Sequence, residues 1–343
     1  MSNFDRNDLS NRLYIAMVNP WKENTYELDE PALRKLVQYF LTIGKGKNMG
    51  IIANPEAGEL FYMTPEEKRE VVKIVLEEVK GQMPVFAGVL ENATNETVKL
   101  AVDMKKMGVD GLFVMPAIGA IDITTSWNPV AYPEVWLDEI KAIDDACDLP
   151  ILAHPVGTPS IGFGIGIPTE TTIAICNAVP NMIGWKMTYN WEGWKKVGRA
   201  LKKQQPSVTV LGACASLFHE AISTDLFDGT VTGSFCYAAE PMLEHISLLK
   251  QGRNEEALAL WDGGLAELQE WMYSDMSRLH LRYKVASWLR GLVPHPYMRR
   301  PMPAPNQCEI DTLVKLLRGA KLELISDEKI ASLHARPELA INL

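Results

Sequence analysis

The chain has 343 residues, of which 47% are hydrophobic and 22% charged, and its formal net charge is −9. That composition is ordinary for a soluble globular protein, and the length suits one large barrel or two ordinary domains. The acidic balance argues against a nucleic-acid surface, which needs clustered Lys and Arg to neutralise phosphates, and no basic stripe interleaved with aromatics is present. No stretch approaches roughly 18 continuous apolar residues, so no membrane span is expected. The polar start, Met1 to Arg12, lacks the apolar core of a secretion signal and points to a cytoplasmic protein. Cys147, Cys176, Cys214, Cys236 and Cys308 are scattered, odd in number and without a CxxC pair or metal-ligand spacing. They read as reduced thiols, and neither a metal nor an organic cofactor is implied.

Short apolar runs alternate with stretches of helical period. Leu13–Val18 is the first strand candidate, and Glu27 to Thr42 carries apolar residues at helical spacing. Met49–Ala53 reads as the second strand. Thr64-Pro65-Glu66-Glu67 then announces a helix with a Thr N-cap, Pro at the first helical position and Glu at the third. Pro84–Val89 is the third strand, Thr94 to Met107 a helix closed by Gly108, and Gly111–Met115 the fourth strand. An irregular stretch from Gly119 to Tyr132 precedes a helix over Pro133 to Cys147. The order continues with a strand at Ile151–Ala153, a Gly-rich loop from Gly157 to Pro168, a helix at Glu170–Ala178 and a strand at Met182–Lys186. A helix at Trp191–Lys203, a strand at Val208–Gly212, a helix near Ser216–Ser223 and a last strand at Gly229–Gly233 complete the series.

Eight strands, each followed by a helical stretch, predict an α/β fold of the closed (β/α)8, or TIM-barrel, kind. A doubly wound open sheet would place a Gly-rich phosphate turn after the first strand, where Asn19-Pro20-Trp21 stands instead. From Pro241 onward the pattern is helical, over Leu243 to Lys250, Glu255 to Leu281 and Tyr283 to Leu289. The expected organisation is a barrel over residues 1–240 with a C-terminal helical extension, 241–343, packed on it.

Active sites of such barrels lie at the C-terminal ends of the strands. Lys186 ends the apolar run Met182-Ile183-Gly184-Trp185, and a lysine leaving a buried strand is costly unless it is paired or used. The bland alternative is a lysine that reaches solvent or an ion-pair partner.

A set of ordered motifs resembles the superfamily of dihydrodipicolinate synthase and N-acetylneuraminate lyase. Gly58-Glu59, followed by Leu60 to Lys68, is similar to its GxxGE…L…E stretch. Pro84 to Gly88 followed by Asn92-Ala93-Thr94 resembles PVIAG…NST, and Lys105 to Gly111 resembles its GADG turn. Asn181 to Lys186 is similar to NIIGIK, and Arg300-Pro301-Met302-Pro303 to R.P..P. The likeness runs from about Ile15 to about Leu317. It implies that Lys186 forms an imine with a 2-oxo acid such as pyruvate. The protonated imine is an electron sink that eases bond cleavage, addition, dehydration or proton abstraction beside it. Forming it needs some neutral amine, which burial favours.

Three departures limit what the resemblance implies. Where the family has a proton-relaying tyrosine ending its fifth strand, this chain has His154, which can also transfer protons near neutrality. Where the family has GTTGE, this chain reads Pro55-Glu56-Ala57-Gly58-Glu59, so both hydroxyls that hold the substrate carboxylate are missing. An ionised Glu56 would repel that carboxylate. Either Glu56 points away, or the substrate presents something else there; a general-base role and an exposed structural glutamate are both open. Third, Met115-Pro116-Ala117-Ile118-Gly119 stands where the family has PYY. Trp127, Trp185 and Tyr189 are candidates for lining a wider pocket, although strand alternation turns Trp185 away from the interior if Lys186 faces it.

The expected catalytic residues are therefore Lys186, His154 and Glu56, with Ala57, Gly58, Ala117, Trp127, Gly233 and Ser234 at the substrate. His219, His245, His280, His295 and His334 fall in helical or tail segments and read as structural or solvated, and Cys214 and Cys236 have no base beside them. The leading function is a class I lyase or aldolase, or hydratase-aldolase, of catabolic type on a small carbonyl compound. A hydrolase, dehydratase or decarboxylase on the same barrel, or a silent binding protein, are the alternatives. By resemblance the chain is expected to form a homo-oligomer, a dimer or a tetramer.

Overall fold

The apolar runs become strands because their side chains alternate between two covered faces, and turn residues stop each one. In the computed structural model, residues 4–23, 25–116, 127–156 and 164–333 are described. The strands are β1 (Leu13–Ala16), β2 (Met49–Ala53), β3 (Val85–Val89), β4 (Gly111–Val114), β5 (Ile151–Ala153), β6 (Met182–Met187), β7 (Thr209–Gly212) and β8 (Gly229–Thr232). They close into one barrel in chain order, with β1 and β8 paired in parallel from Leu13 opposite Thr230 to Ile15 opposite Thr232. The expected (β/α)8 architecture is thus observed, and its strand limits agree with the sequence reading to within two residues.

The barrel interior is filled by pairing large side chains with glycines. Tyr14 of β1 and Phe86 of β3 meet edge-to-face at 5.0 Å across β2. They can do so because β2 offers Gly50, where a Cβ would lie 2.3 Å from the Tyr14 ring, and β4 offers Gly111, where one would lie 2.2 Å from Phe86. Side chains from alternate strands sharing a layer is the usual filling of such a barrel.

The described chain divides into two compact units. One comprises residues up to Ile15, Asn48–Pro55 and Gly81–Thr232. Its helices are α1 (Arg6–Ser10), α4 (Thr94–Met107), α5 (Glu134–Cys147), α6 (Thr169–Ala178), α7 (Trp191–Gln204) and α8 (Phe218–Ser223). The other comprises Ala16–Lys47, Glu56–Lys80 and the chain from Gly233 onward. It holds α2 (Glu30–Gly44), α3 (Pro65–Val79), α9 (Phe235–Lys250), α10 (Asn254–Leu260), α11 (Ala266–Tyr273), α12 (Leu279–Leu289), α13 (Gln307–Gly319) and α14 (Asp327–Ala331). Among the described residues, no helix is long and apolar enough to cross a membrane.

The capping signal at α3 is realised in full: the Glu67 backbone N–H donates to Thr64 Oγ1 at 3.2 Å, and the Thr64 N–H donates to Glu67 Oε2 at 2.8 Å. The continuous helix expected over Glu255 to Leu281 is not observed. Gly263 and Gly264 break it in a wide turn, with Gly264 at φ +117°, a value that favours glycine. A Cβ at Gly264 would also lie 2.6 Å from the Gly319 carbonyl. A second break follows α11, where Asp275 Oδ1 accepts from the Ser277 N–H and hydroxyl and holds a turn in place of a helical one.

One buried acid makes the first unit sensitive to pH. Burial pushes the Glu139 carboxyl on α5 up to about 7, and the Thr97 and Thr94 hydroxyls of α4 offset only part of that rise. A carboxyl whose folded pKa lies above its ordinary 4.5 contributes fully below that value, and the contribution is lost as pH rises through about 7. Urea unfolding followed from about pH 4.5 to about pH 8 is expected to lose roughly 3 kcal/mol of stability from this group. Glu139→Gln should flatten that slope.

Candidate active site

Alternation along β6 decides which way Lys186 points. Trp185 packs its indole against Trp136 of α5 at 5.8 Å and donates from Nε1 to the Tyr189 hydroxyl at 3.0 Å. That hydroxyl donates in turn to the Ile167 carbonyl at 2.8 Å. Trp185 and Tyr189 are therefore committed to the helix-facing side, and the next residue, Lys186, faces inward. Gly184, on the same face as Lys186, confirms the direction. A Cβ there would meet Leu211 of β7 and Leu152 of β5 at 2.6 and 2.7 Å.

The same face carries His154. Ala153 pairs with Trp185, so one step further along the ladder sets His154 level with Lys186. Its backbone N–H donates to the Val114 carbonyl at 2.8 Å and so continues the β4–β5 pairing past the last residue of β5. The imidazole is fully buried and stacks on Phe113 of β4 at 5.3 Å between centroids, with 28° between the planes. Lys186 Nζ lies 5.5 Å from the centroid of that same ring, and the lysine is only 8% exposed. Cys214, beyond β7, feels the Lys186 charge, yet burial pushes its thiol up to about 12 and keeps it protonated. Burial pushes Cys176 up to about 12 in the same way. Trp127 donates from Nε1 to the Tyr132 carbonyl at 2.7 Å and so fastens its own loop. Ala117 lies outside the described residues.

In the second unit, Glu56, Ala57 and Gly58 form one tight turn. The partly exposed Glu56 carboxylate stands 4.0 Å from Nε2 of His280 on α12. The next residue, Glu59, is left-handed at φ +66° and wholly buried. Its Oε1 accepts from Trp21 Nε1 at 2.7 Å and from Lys284 Nζ at 2.9 Å, while Oε2 accepts from the Arg299 N–H at 2.6 Å. Lys284 also donates to the Asn19 carbonyl, and Asn19 Nδ2 donates to the Gly58 carbonyl at 2.7 Å. The Arg299 guanidinium lies over the Trp21 ring at 4.0 Å and donates to Glu67 Oε2 at 2.7 Å, which joins the α3 cap to the network. Burial works against ionising Glu67, but the hydrogen bonds from Arg299 and the Thr64 N–H hold it below the usual carboxylate range.

Gly233 and Ser234 enter α9. A Cβ at Gly233 would lie 2.4 Å from the Tyr283 ring, so glycine lets that aromatic lie against the backbone at this position. Ser234 Oγ donates to Gln269 Oε1 and accepts from the Tyr237 hydroxyl, each at 3.1 Å. Its hydroxyl is thus engaged by α9 and α11. Phe113, His280, Lys284, Asn19 and Trp21 escaped the sequence reading of function. Phe113 carried one usable signal, its place two residues after Gly111 on a strand whose neighbour β5 leads into His154.

The dihydrodipicolinate synthetase family model matches residues 9–320. The chain belongs to this family. A 4-hydroxy-tetrahydrodipicolinate synthase from Maridesulfovibrio salexigens is 31% identical over 50% of this chain and 53% of its own length. The chain therefore spans about half the length of that relative. A second such synthase, from Persephonella marina, is 23% identical over 84% of this chain and 90% of its own length. Among solved structures, dihydrodipicolinate synthase from Thermotoga maritima superposes with a TM-score of 0.76 at 21% identity, covering 91% of this chain and 98% of that one. That likeness shows the barrel fold.

Within this member of the family, the buried Glu59–Lys284 pair sets the geometry of the Glu56–Gly58 turn from behind. Removing one partner of a buried pair costs about 3–5 kcal/mol because an uncompensated charge remains. Lys284→Met is expected to lower urea-denaturation stability by about that amount. The double variant Lys284→Met with Glu59→Gln should recover a large part of it, since no buried charge is left unmatched.

Proposed function

We propose that this protein is a class I lyase or aldolase, or a hydratase-aldolase, acting on a 2-oxo acid or a related small carbonyl compound. Lys186 is the amine that forms the imine, and His154 is the acid and base beside it. What supports the reading is one observation above the rest. The family's Schiff-base position holds a lysine that faces the barrel interior, nearly buried, with an imidazole stacked on the ring it approaches.

In the proposed step, neutral Nζ adds to the substrate's ketone carbon, and the carbonyl oxygen leaves as water with protons drawn from the amine and from a neighbouring acid. Loss of that water leaves an iminium whose nitrogen keeps the amine's second proton, and it accepts the electron pair released when a bond to the adjacent carbon breaks. A buried imidazole at strand-end level suits the accompanying proton transfers. No step is assigned to Glu56, whose carboxylate faces His280. A catabolic role accords with the loss of the GTTGE hydroxyls. A cytoplasmic homo-oligomer, dimer or tetramer, is part of the same proposal.

The deciding experiment is intact-mass spectrometry after borohydride reduction in the presence of pyruvate. The wild-type protein is expected to gain one pyruvate-sized adduct, located at Lys186, and Lys186→Ala to gain none. An adduct that persists on Lys186→Ala would sink the assignment. His154→Gln should still form the adduct but turn over about 100-fold or more slowly, the ordinary scale of lost general acid–base catalysis.

A further inference from the structure

The geometry points to Phe113 as a positioning residue for the imine chemistry, its ring serving as a shared platform that hosts the positive charge on Lys186 and orients His154. This rests on the reading of Lys186 given above and adds a residue that no motif of the family marks. Phe113 is fully buried in the middle of β4. Lys186 Nζ lies 5.5 Å from its centroid, and His154 stacks on it at 5.3 Å.

The physical reason for an aromatic here is the desolvation of Lys186. An amine that is 8% exposed has lost most of the water that would stabilise its charged states. The face of a benzene ring carries partial negative charge and attracts a cation within about 6 Å, more strongly when the cation is dry. The protonated amine and the iminium are both cations at nearly the same place, so one ring serves both. The groups around Lys186 fit that role. Phe113 faces it from β4 and His154 from the end of β5, while Cys214 beyond β7 stays a neutral thiol. Two cations on one ring repel each other, so a charge on Lys186 disfavours a second charge on the stacked His154.

The test replaces the ring's charge without changing its shape. Mono-, tri- and pentafluorinated phenylalanines at position 113 withdraw electron density from the face in graded steps and keep the packing close to native. Pyruvate trapping with borohydride is followed against pH, with thermal unfolding as the check on folding. Fluorination should move the pH of half-maximal trapping downward step by step, by about 0.5 to 1 unit over the series. The sign follows because a weaker ring favours the neutral amine. At fixed pyruvate and a pH above that midpoint, where the free amine is neutral, the fraction held as iminium should fall about 3- to 10-fold along the same series. Phe113→Leu, which removes the ring without reversing its charge, should resemble the trifluorinated protein. A flat series, with midpoint and iminium fraction unchanged in folded proteins, overturns the platform role and leaves the Lys186 reading intact. No adduct on the wild-type protein at any pH overturns both.

Discussion

A strand has two faces, and closing the sheet into a barrel makes one of them interior along its whole length. Everything chemical in the first unit depends on that constraint. On β6 it sends Trp185 out to Trp136 and Lys186 in. On β5 it puts Leu152 on the inner face, and the β5–β6 register, carried one step past Ala153, sets His154 level with Lys186. A slip of one residue in β6 would bury the indole in the barrel and leave the lysine among the helices. Trp185 resists that slip, because its ring and its N–H both find partners only on the outer side. The tryptophan beside the lysine thus fixes the lysine's direction.

The second unit is organised around a different cost. The Glu59 carboxylate and the Lys284 amine are both removed from solvent, and either one alone would be an expensive buried charge. Together with Trp21, Asn19 and the Arg299 backbone they satisfy each other, and the carbonyls of Asn19 and Gly58 are drawn into the same network. The left-handed backbone at Glu59 is tolerated because its side chain is held from several directions. This network explains why the tight turn before Glu59 keeps its form although it lacks the family's hydroxyls. Its rigidity comes from behind, through residues of α12 and the 295–299 segment.

How much of this was legible beforehand follows from how far apart the partners lie in sequence. The barrel was readable because each strand and each helix start is a local pattern; Thr64-Pro65-Glu66-Glu67 produced the expected cap. Lys186 and His154 were readable because strand ends are a short list and the family's motifs mark one of them. The Glu59–Lys284 pair spans 225 residues, and nothing near Lys284 in the chain distinguishes it from a surface lysine on an amphipathic helix. His280 was set aside for the same reason, as one histidine in a helical stretch, until folding brought it to Glu56. The break at Gly263-Gly264 interrupts a stretch that keeps helical period on both sides. What decided there was a tertiary contact, the close approach of the Gly319 backbone, which no local pattern encodes.

The contrast between Lys186 and Cys214 shows what kind of chemistry these surroundings select. Both are nucleophile types at strand ends, and both are nearly buried. Burial works against the charged form of each, but the charged forms have opposite sign. For the thiol, burial dominates and the Lys186 charge offsets only part of it, so the group stays protonated at about 12. For the amine, the ring of Phe113 supplies a favourable site for the cation, and the face of such a ring does not stabilise a thiolate. An environment of this sign suits a mechanism whose charged species are ammonium and iminium, and it opposes one that must hold a thiolate. It also suits a neutral imidazole, which can stack on the same ring and accept a proton only as the neighbouring positive charge is discharged. On the proposed reading, the aromatic residue at the centre of β4 is therefore what allows a lysine to be both buried and reactive.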